Sequence, residues 1–322
     1  MYKNINHTAL GVSGRQSELI ELALTFGFRS MDFDVIDLHK RAQSQSLDMA
    51  LRFITSAKVR IGDFALPISV TGDDGAFAAQ LTELKSICET AQAGSASRCY
   101  YALPPASDEL PYHENFELHR SRVGQIGDVL GEYEIRLGLG IQAAPAHRRE
   151  AAFQFVHQAE DLLAFIKAVG NSNVGLFLDT WNWRVGGGSV EQLRELSGDQ
   201  VVSVRFADIS PEVDLGAIDD TQRCLPSEDD VANNEAIAAW LVEAEFEGSI
   251  TIYPSPGQFS GLTRDRIVEQ TSNMLERCLQ SAGFVKPKPE TEEAEPAEGA
   301  ATEAATDATE SATDAAPAAT EA

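Results

Sequence analysis

The chain has 322 residues and a formal charge of −25, enough length for one large domain or two small ones. That charge works against attraction to nucleic acid or to an anionic lipid surface. No run approaches the ~20 apolar residues of a membrane span, and the start, MYKNINHTALGV, lacks the basic segment and apolar run of a signal peptide, so a cytoplasmic location is expected.

Strand and helix signals alternate along the chain. Residues 3–8 read as a first strand. Leu19, Ile20, Leu22, Ala23, Leu24 and Phe26 recur at helical spacing, and Gly27 closes that helix over residues 16–26. Residues 30–35 predict a second strand, 47–57 a helix and 59–70 a third strand. Residues 76–93 are helical, with Phe77, Leu81, Leu84, Ile87 and Cys88 on one face. A fourth strand at 99–103 leads through a longer loop, 104–114, into a helix to about residue 132. Strand five is placed at 135–142, helix five at 154–169, strand six at 174–179 and a short helix at 190–196. Strand seven at 201–206, a helix at 233–245, strand eight at 249–253 and a helix at 263–282 complete the run.

Residues 285–322 differ in kind. They hold no aromatic, ten acids and two lysines, and carry −8. So little apolar surface cannot offset the entropy of ordering, and a disordered tail is expected there. The remaining −17 falls on residues 1–284, the expected folded domain. The four cysteines, Cys88, Cys99, Cys224 and Cys278, lack C-x-x-C spacing and read as buried free thiols.

Eight strand–helix units in 284 residues predict a closed (β/α)₈ barrel, an α/β fold. A doubly wound open sheet is the alternative. The loop after the first strand, GVSGRQS, lacks G-x-G-x-x-G, which argues against a dinucleotide site. In a barrel the carboxyl ends of the strands face one mouth. That places His7, Asp32, Asp34, Gln142, Asp179, Asn182, Arg205, Asp208 and Tyr253 there as candidates. Each also has a structural alternative: Asp179 and Asp208 can cap turns, Asp34 can be a solvated acid, and His7 can be a satisfied interior histidine.

Several stretches resemble the xylose-isomerase-like barrel superfamily, which includes sugar phosphate isomerases and epimerases. They are ELIELALTFGFRSMDF, NVGLFLDTWNW, VVSVRFAD and the long passage LPSEDDVANNEAIAAWLVEAEFEGSITIYP. The resemblance implies a divalent metal held by Glu, Asp, His and Glu at the ends of strands five to eight. Carried over by position, these are Gln142, Asp179, Arg205 and Tyr253, and a second family histidine becomes Asn182. No histidine follows His157. A dication about 4 Å from Arg205 would cost roughly 8 kcal/mol at an effective dielectric near 20. The expectation is therefore no metal and no other cofactor, with an Arg205–Asp179 pair in its place. Gln142, Asp179, Arg205 and Tyr253 become the candidate catalytic set.

Trp181 and Trp183 beside Asp179 suit stacking on a sugar ring, or else cap the core. Gly186, Gly187 and Gly188 before Ser189, with Arg184 near, suit a phosphate, or else form a surface loop. His7, Asp32, Trp181, Asn182 and Asp208 are the candidate substrate-binding residues. The expected partner is a sugar or polyol, phosphorylated or not. Three functions compete. The first is an isomerase or epimerase working without the usual metal or on an altered substrate. The second is a non-catalytic barrel that binds such a metabolite or a partner protein. The third is a nucleic-acid repair enzyme like endonuclease IV, against which the acidic charge and the lack of a multi-metal ligand set argue.

Overall fold

The computed structural model describes residues 1–284; the tail expected over 285–322 lies outside the described residues. β1 is Tyr2–Ile5, β2 Ser30–Met31, and β3 is split into Arg60–Ile61 and Asp63–Ala65. β4 is Arg98–Leu103, β5 Arg136–Ile141, β6 Val174–Asp179, β7 Val201–Phe206 and β8 Ser249–Ile252. Each pairs in parallel with the next. β8 returns to β1, with Tyr2 opposite Ser249. The sheet therefore has nine hydrogen-bonded segments, and its two ends are the halves of β3. Gly62 joins those halves, so the ring closes as an eight-stave (β/α)₈ barrel.

The helices are α1 Gln16–Thr25, α2 Val35–Ser44, α3 Leu47–Ala57, α4 Asp74–Ala93 and α5 Tyr112–Gly131. They continue as α6 Ala159–Val169, α7 Thr180–Val185, α8 Val190–Leu193, α9 Asn234–Glu243 and α10 Arg264–Ser281. Side-chain caps start several of them: Ser46 accepts from Met49 N for α3, and Asp73 from Ala76 N for α4. Gly170, at φ 65°, closes α6. All six residues of β6 and of β7 are buried, as strands must be when helices cover one face and the barrel interior the other. The main core lies between sheet and helices, around Phe28, Leu38, Ile54, Leu84, Ile126, Phe165, Leu241 and Leu275.

Several elements depart from expectation: β1 ends at Ile5 and not at residue 8, and α2 and α7 are helices that the periodicity did not predict. The second strand stops at Met31, because Asp34 caps α2 by accepting from Asp37 N at 3.0 Å. Asp34 is thus a helix cap and not a mouth residue. The third strand breaks at Gly62, where any Cβ would collide with the side chains of Asn4 and Asp32. The helix expected from residue 154 begins at Ala159, since Phe153–Gln154 pairs antiparallel with Ala106–Ser107 outside the barrel. All four cysteines are free. No described helix is long and apolar enough to cross a membrane.

Candidate functional site

Interior-facing positions of such barrels are commonly filled with branched aliphatics. Here they are polar: Asn4, Ser30, Asp32, Asp63, Ser203, Arg205, Ser249 and Thr251 are all buried. Neutral partners knit much of this set together. Asn4 Nδ2 donates to Asp32 Oδ1 at 2.7 Å and to Thr251 Oγ1 at 2.8 Å. Asn6 Nδ2 donates to Asp32 Oδ2 at 2.8 Å, and Ser30 Oγ to Asn4 Oδ1 at 2.8 Å. Ser249 Oγ donates to Asp63 Oδ1 at 2.6 Å, leaving Asp63 Oδ2 without a partner.

Arg205, 5 % exposed, stands in an aromatic box. Its Cζ lies 4.0 Å from the Tyr253 ring centre, 4.2 Å from Tyr100 and 4.8 Å from Phe177. Gly140 on β5 makes room for this box, since a Cβ there would strike the Phe177 ring at 2.7 Å. Burial works against the charge on Arg205, but Tyr100, Tyr253 and Asp32 outweigh it and raise its pKa, so the residue is a fixed cation. Burial, and then the neighbouring Asp63, push the Asp32 carboxyl up to about 7, against the pull of Arg205. Asp63 is raised as well, chiefly by burial. Two buried carboxylates share one cation, and a proton is the cheaper way to settle the excess charge.

Asp179 and Arg205 face each other in the register of β6 and β7. Even so, the expected Arg205–Asp179 pair is not what forms. Asp179 Oδ1 caps α7 by accepting from Asn182 N at 3.0 Å, and its Oδ2 accepts from Arg223 Nη2. Both partners are under 10 % exposed, at 7 % for Arg223 and 6 % for Asp179. Arg223 also donates from Nε to the Tyr253 carbonyl at 3.2 Å, and its Cζ lies 5.3 Å from the Tyr253 ring centre. Tyr253 therefore touches both guanidinium groups, and Asp179, Arg223, Tyr253 and Arg205 form one connected cluster. Gln142 is not joined to this cluster by any hydrogen bond among the described residues; its Nε2 lies 3.5 Å from the Leu103 carbonyl.

The other candidates fall into two groups. His7 follows Asn6, is part-exposed, and keeps a buried Nδ1 without a partner; burial lowers its pKa. Asp32 is 8 % exposed. Asp32 feels the charge of Arg205, whereas His7 shows no contact with the charged cluster among the described residues. Trp181 does not flank the mouth: it is fully buried in a second apolar cluster with Ala144, Ala207, Ile209 and Ile218, and supports Arg223 at 4.9 Å. Asn182 fastens two loops, its Oδ1 accepting from Ala143 N at 2.9 Å. Asp208 is buried and spends both oxygens on Ile209 N, Ala232 N, Ser227 N and Ser227 Oγ. Trp181 and Asp208 are thus supports of the loop over residues 207–233, not ligand contacts.

The glycine run does not present free amides to a phosphate. Gly186 N, Gly187 N and Gly188 N donate to the carbonyls of Asn182, Arg184 and Trp183, and Ser189 N to Gln192 Oε1. Arg184 donates to the Val231 carbonyl at 3.0 Å. Sequence reasoning missed Arg223, Tyr100, Asn4, Asn6 and Asp63. Alternation along β1, β3 and β4 marks Asn4, Asn6, Asp63 and Tyr100 as inward-facing once the strands are placed. Nothing local marks Arg223, which reaches Asp179 across 44 positions.

A parallel eight-stave barrel lined inside with polar and charged side chains presents the carboxyl ends of its strands at one mouth. The chain belongs to the xylose isomerase-like TIM barrel family, whose model matches residues 20–278. It is 21 % identical over 270 residues to an inosose isomerase of Bacillus velezensis, covering 83 % of this chain and 92 % of that one. A xylose isomerase domain protein of Alicyclobacillus acidocaldarius superposes with a TM-score of 0.79 at 21 % identity, over 88 % of this chain and 100 % of that one. The IolI protein, solved with a bound zinc atom, superposes at 0.73 with 17 % identity, over 88 % of this chain and 99 % of that one.

Proposed function

We propose that the chain binds a small polyhydroxylated molecule, a sugar or polyol, at its carboxyl mouth, and does so without the divalent metal that its family resemblance implies. The observation that carries this reading is the Asp179–Arg223 ion pair beside Arg205. Hard divalent ions want several oxygens, most of them anionic. The four corresponding positions offer an amide (Gln142), a carboxylate already taken by a guanidinium (Asp179), a cation (Arg205) and a phenol (Tyr253). That donor set does not fit a dication. The inosose isomerase named above supports the polyol class of ligand.

Titration of the purified chain with Mn²⁺, Co²⁺ and Zn²⁺ should show no binding that depends on Asp179. Micromolar binding abolished in Asp179→Ala would overturn the metal-free reading.

A second reading, proton transfer without metal, is favoured by Asp32. Its carboxyl is raised to about 7, the range a general base needs near neutral pH, and it borders a fixed guanidinium suited to a developing enolate. Ketoses, aldoses and inososes incubated in D₂O and followed by NMR separate the two. Solvent exchange lost in Asp32→Asn supports the enzyme; ligand-induced thermal stabilisation with no exchange supports the binder.

A further inference from the structure

The guanidinium of Arg205 is half used. Its charge is held by ring faces, with Tyr253 and Tyr100 at 4.0 and 4.2 Å. Ring faces accept nothing from N–H groups lying in the guanidinium plane. Nε and Nη2 are both buried and without a hydrogen-bond partner. These two atoms lie along one edge of the planar group, the edge that meets both oxygens of a carboxylate side-on. A buried donor left unpaired costs about 1–3 kcal/mol, so an empty double donor is an expensive feature to keep.

The neighbouring acids do not fill it. Asp32 gives one oxygen to Asn4 and the other to Asn6. Asp63 gives Oδ1 to Ser249, and its free Oδ2 is not bonded to Arg205. Asp179 is spent on Arg223 and the cap of α7. Among the described residues, therefore, the positive charge of Arg205 has no direct carboxylate partner. Of the three rings around Arg205, Tyr100 and Tyr253 are part-exposed and Phe177 is buried, so a guest would reach the edge by displacing a tyrosine ring.

We propose that the Nε–Nη2 edge of Arg205 is a receptor for a ligand carboxylate, so that the preferred occupant of the mouth is a polyhydroxy acid and not a neutral sugar or polyol. This rests on the polyol reading above and adds the acid group to it. Asn4 and Asn6 occupy the two oxygens of Asp32, and the raised Asp32 carboxyl lessens the repulsion an incoming carboxylate meets. The three aromatic rings exclude water from the resulting pair, which strengthens it.

The test is isothermal titration of the full chain with D-gluconate and with D-glucitol, which share a six-carbon polyol chain and differ in ending in a carboxylate or an alcohol. Gluconate should bind about tenfold or more tightly than glucitol, the difference expected of one added charge-assisted pair. Arg205→Lys keeps the charge and loses the fork, and should bring the two affinities to within about twofold. Should that variant fail to fold, the wild-type chain still decides: the Arg205 Nε–H resonance should shift with gluconate and stay with glucitol. Equal affinities overturn the carboxylate receptor and leave the polyol reading standing. A preference for gluconate that survives in Arg205→Lys, or an unmoved Arg205 resonance, overturns the receptor alone. Binding of neither compound overturns both.

Discussion

Asp32 is where residue-scale physics is most exposed. Two acids, Asp32 and Asp63, lie buried beside one guanidinium, with Asn4 and Asn6 as the only donors on Asp32 among the described residues. Its folded-state value, about 7, lies above the ~3.9 of an unfolded aspartate. The folded chain thus holds the proton more tightly than the unfolded one. Stability from this residue is fully present below about pH 4 and is lost as pH rises toward 7, at up to about 1.4 kcal/mol per pH unit. Denaturant midpoints between pH 5 and pH 8 should therefore fall in the wild type and fall less in Asp32→Asn. An unchanged slope in the variant would mean that Asp32 is ionised throughout. The remaining slope belongs in part to Asp63, which burial also raises. Legibility at this scale was uneven. Asp179, Arg205 and Tyr253 could be placed at strand ends by counting. Their partners could not, because side-chain pairing across a mouth depends on loops whose course no periodicity reveals. Arg223 is the case in point: it displaced Arg205 from the expected pair.

At the scale of elements, strand and helix periodicity did most of the work. β6 and β7 fall at the residues that their apolar runs predicted, since strands buried on both faces carry an unbroken signal. Misreadings arose where a short polar device interrupts a pattern. Asp34 ends β2 early by capping α2, and Gly62 splits β3 so that Asn4 and Asp32 can lean across it. The pair Ala106–Ser107 and Phe153–Gln154 is too short to show any period. The loop over residues 207–233 is the element that builds the site, because it carries Arg223. Asp208 holds that loop through four hydrogen-bond donors, from Ile209, Ala232 and Ser227. In Asp208→Ala those donors lose their acceptor in a buried setting. A loss of roughly 3 kcal/mol is expected, from ~1–3 kcal/mol per stranded group with partial recovery by water. Limited proteolysis should cut within residues 209–231 in the variant before it cuts the wild type. Wild-type stability and an uncut loop would show that Asp208 is dispensable there.

At the scale of the whole molecule, closure of the ring is what brings residues 4, 32, 63, 205, 223 and 253 to one place, and the (β/α)₈ order was readable from eight alternating units. The scaffold and the chemistry at its mouth are separable. The barrel here is a family barrel, and on the proposed reading three of the four side chains that the resemblance places at the family's metal positions differ, Gln142, Arg205 and Tyr253, while Asp179 is kept. If the scaffold still offers the right geometry, restoring the donors should restore binding. The variant Gln142→Glu, Arg205→His, Tyr253→Glu and Arg223→Met returns three carboxylates and an imidazole, and frees Asp179 from its guanidinium. It sets about three negative charges against a dication in place of two arginines, which turns roughly 8 kcal/mol of repulsion per arginine at ~4 Å into attraction. Zn²⁺ or Mn²⁺ at a hundredfold excess over Kd should then raise its unfolding free energy by about 2.7 kcal/mol, and leave the wild type unmoved. A restored quartet that still gains nothing from metal would place the cause in the backbone of the mouth. The loop carrying Arg223 would then have closed the site by its course, as well as by its charge.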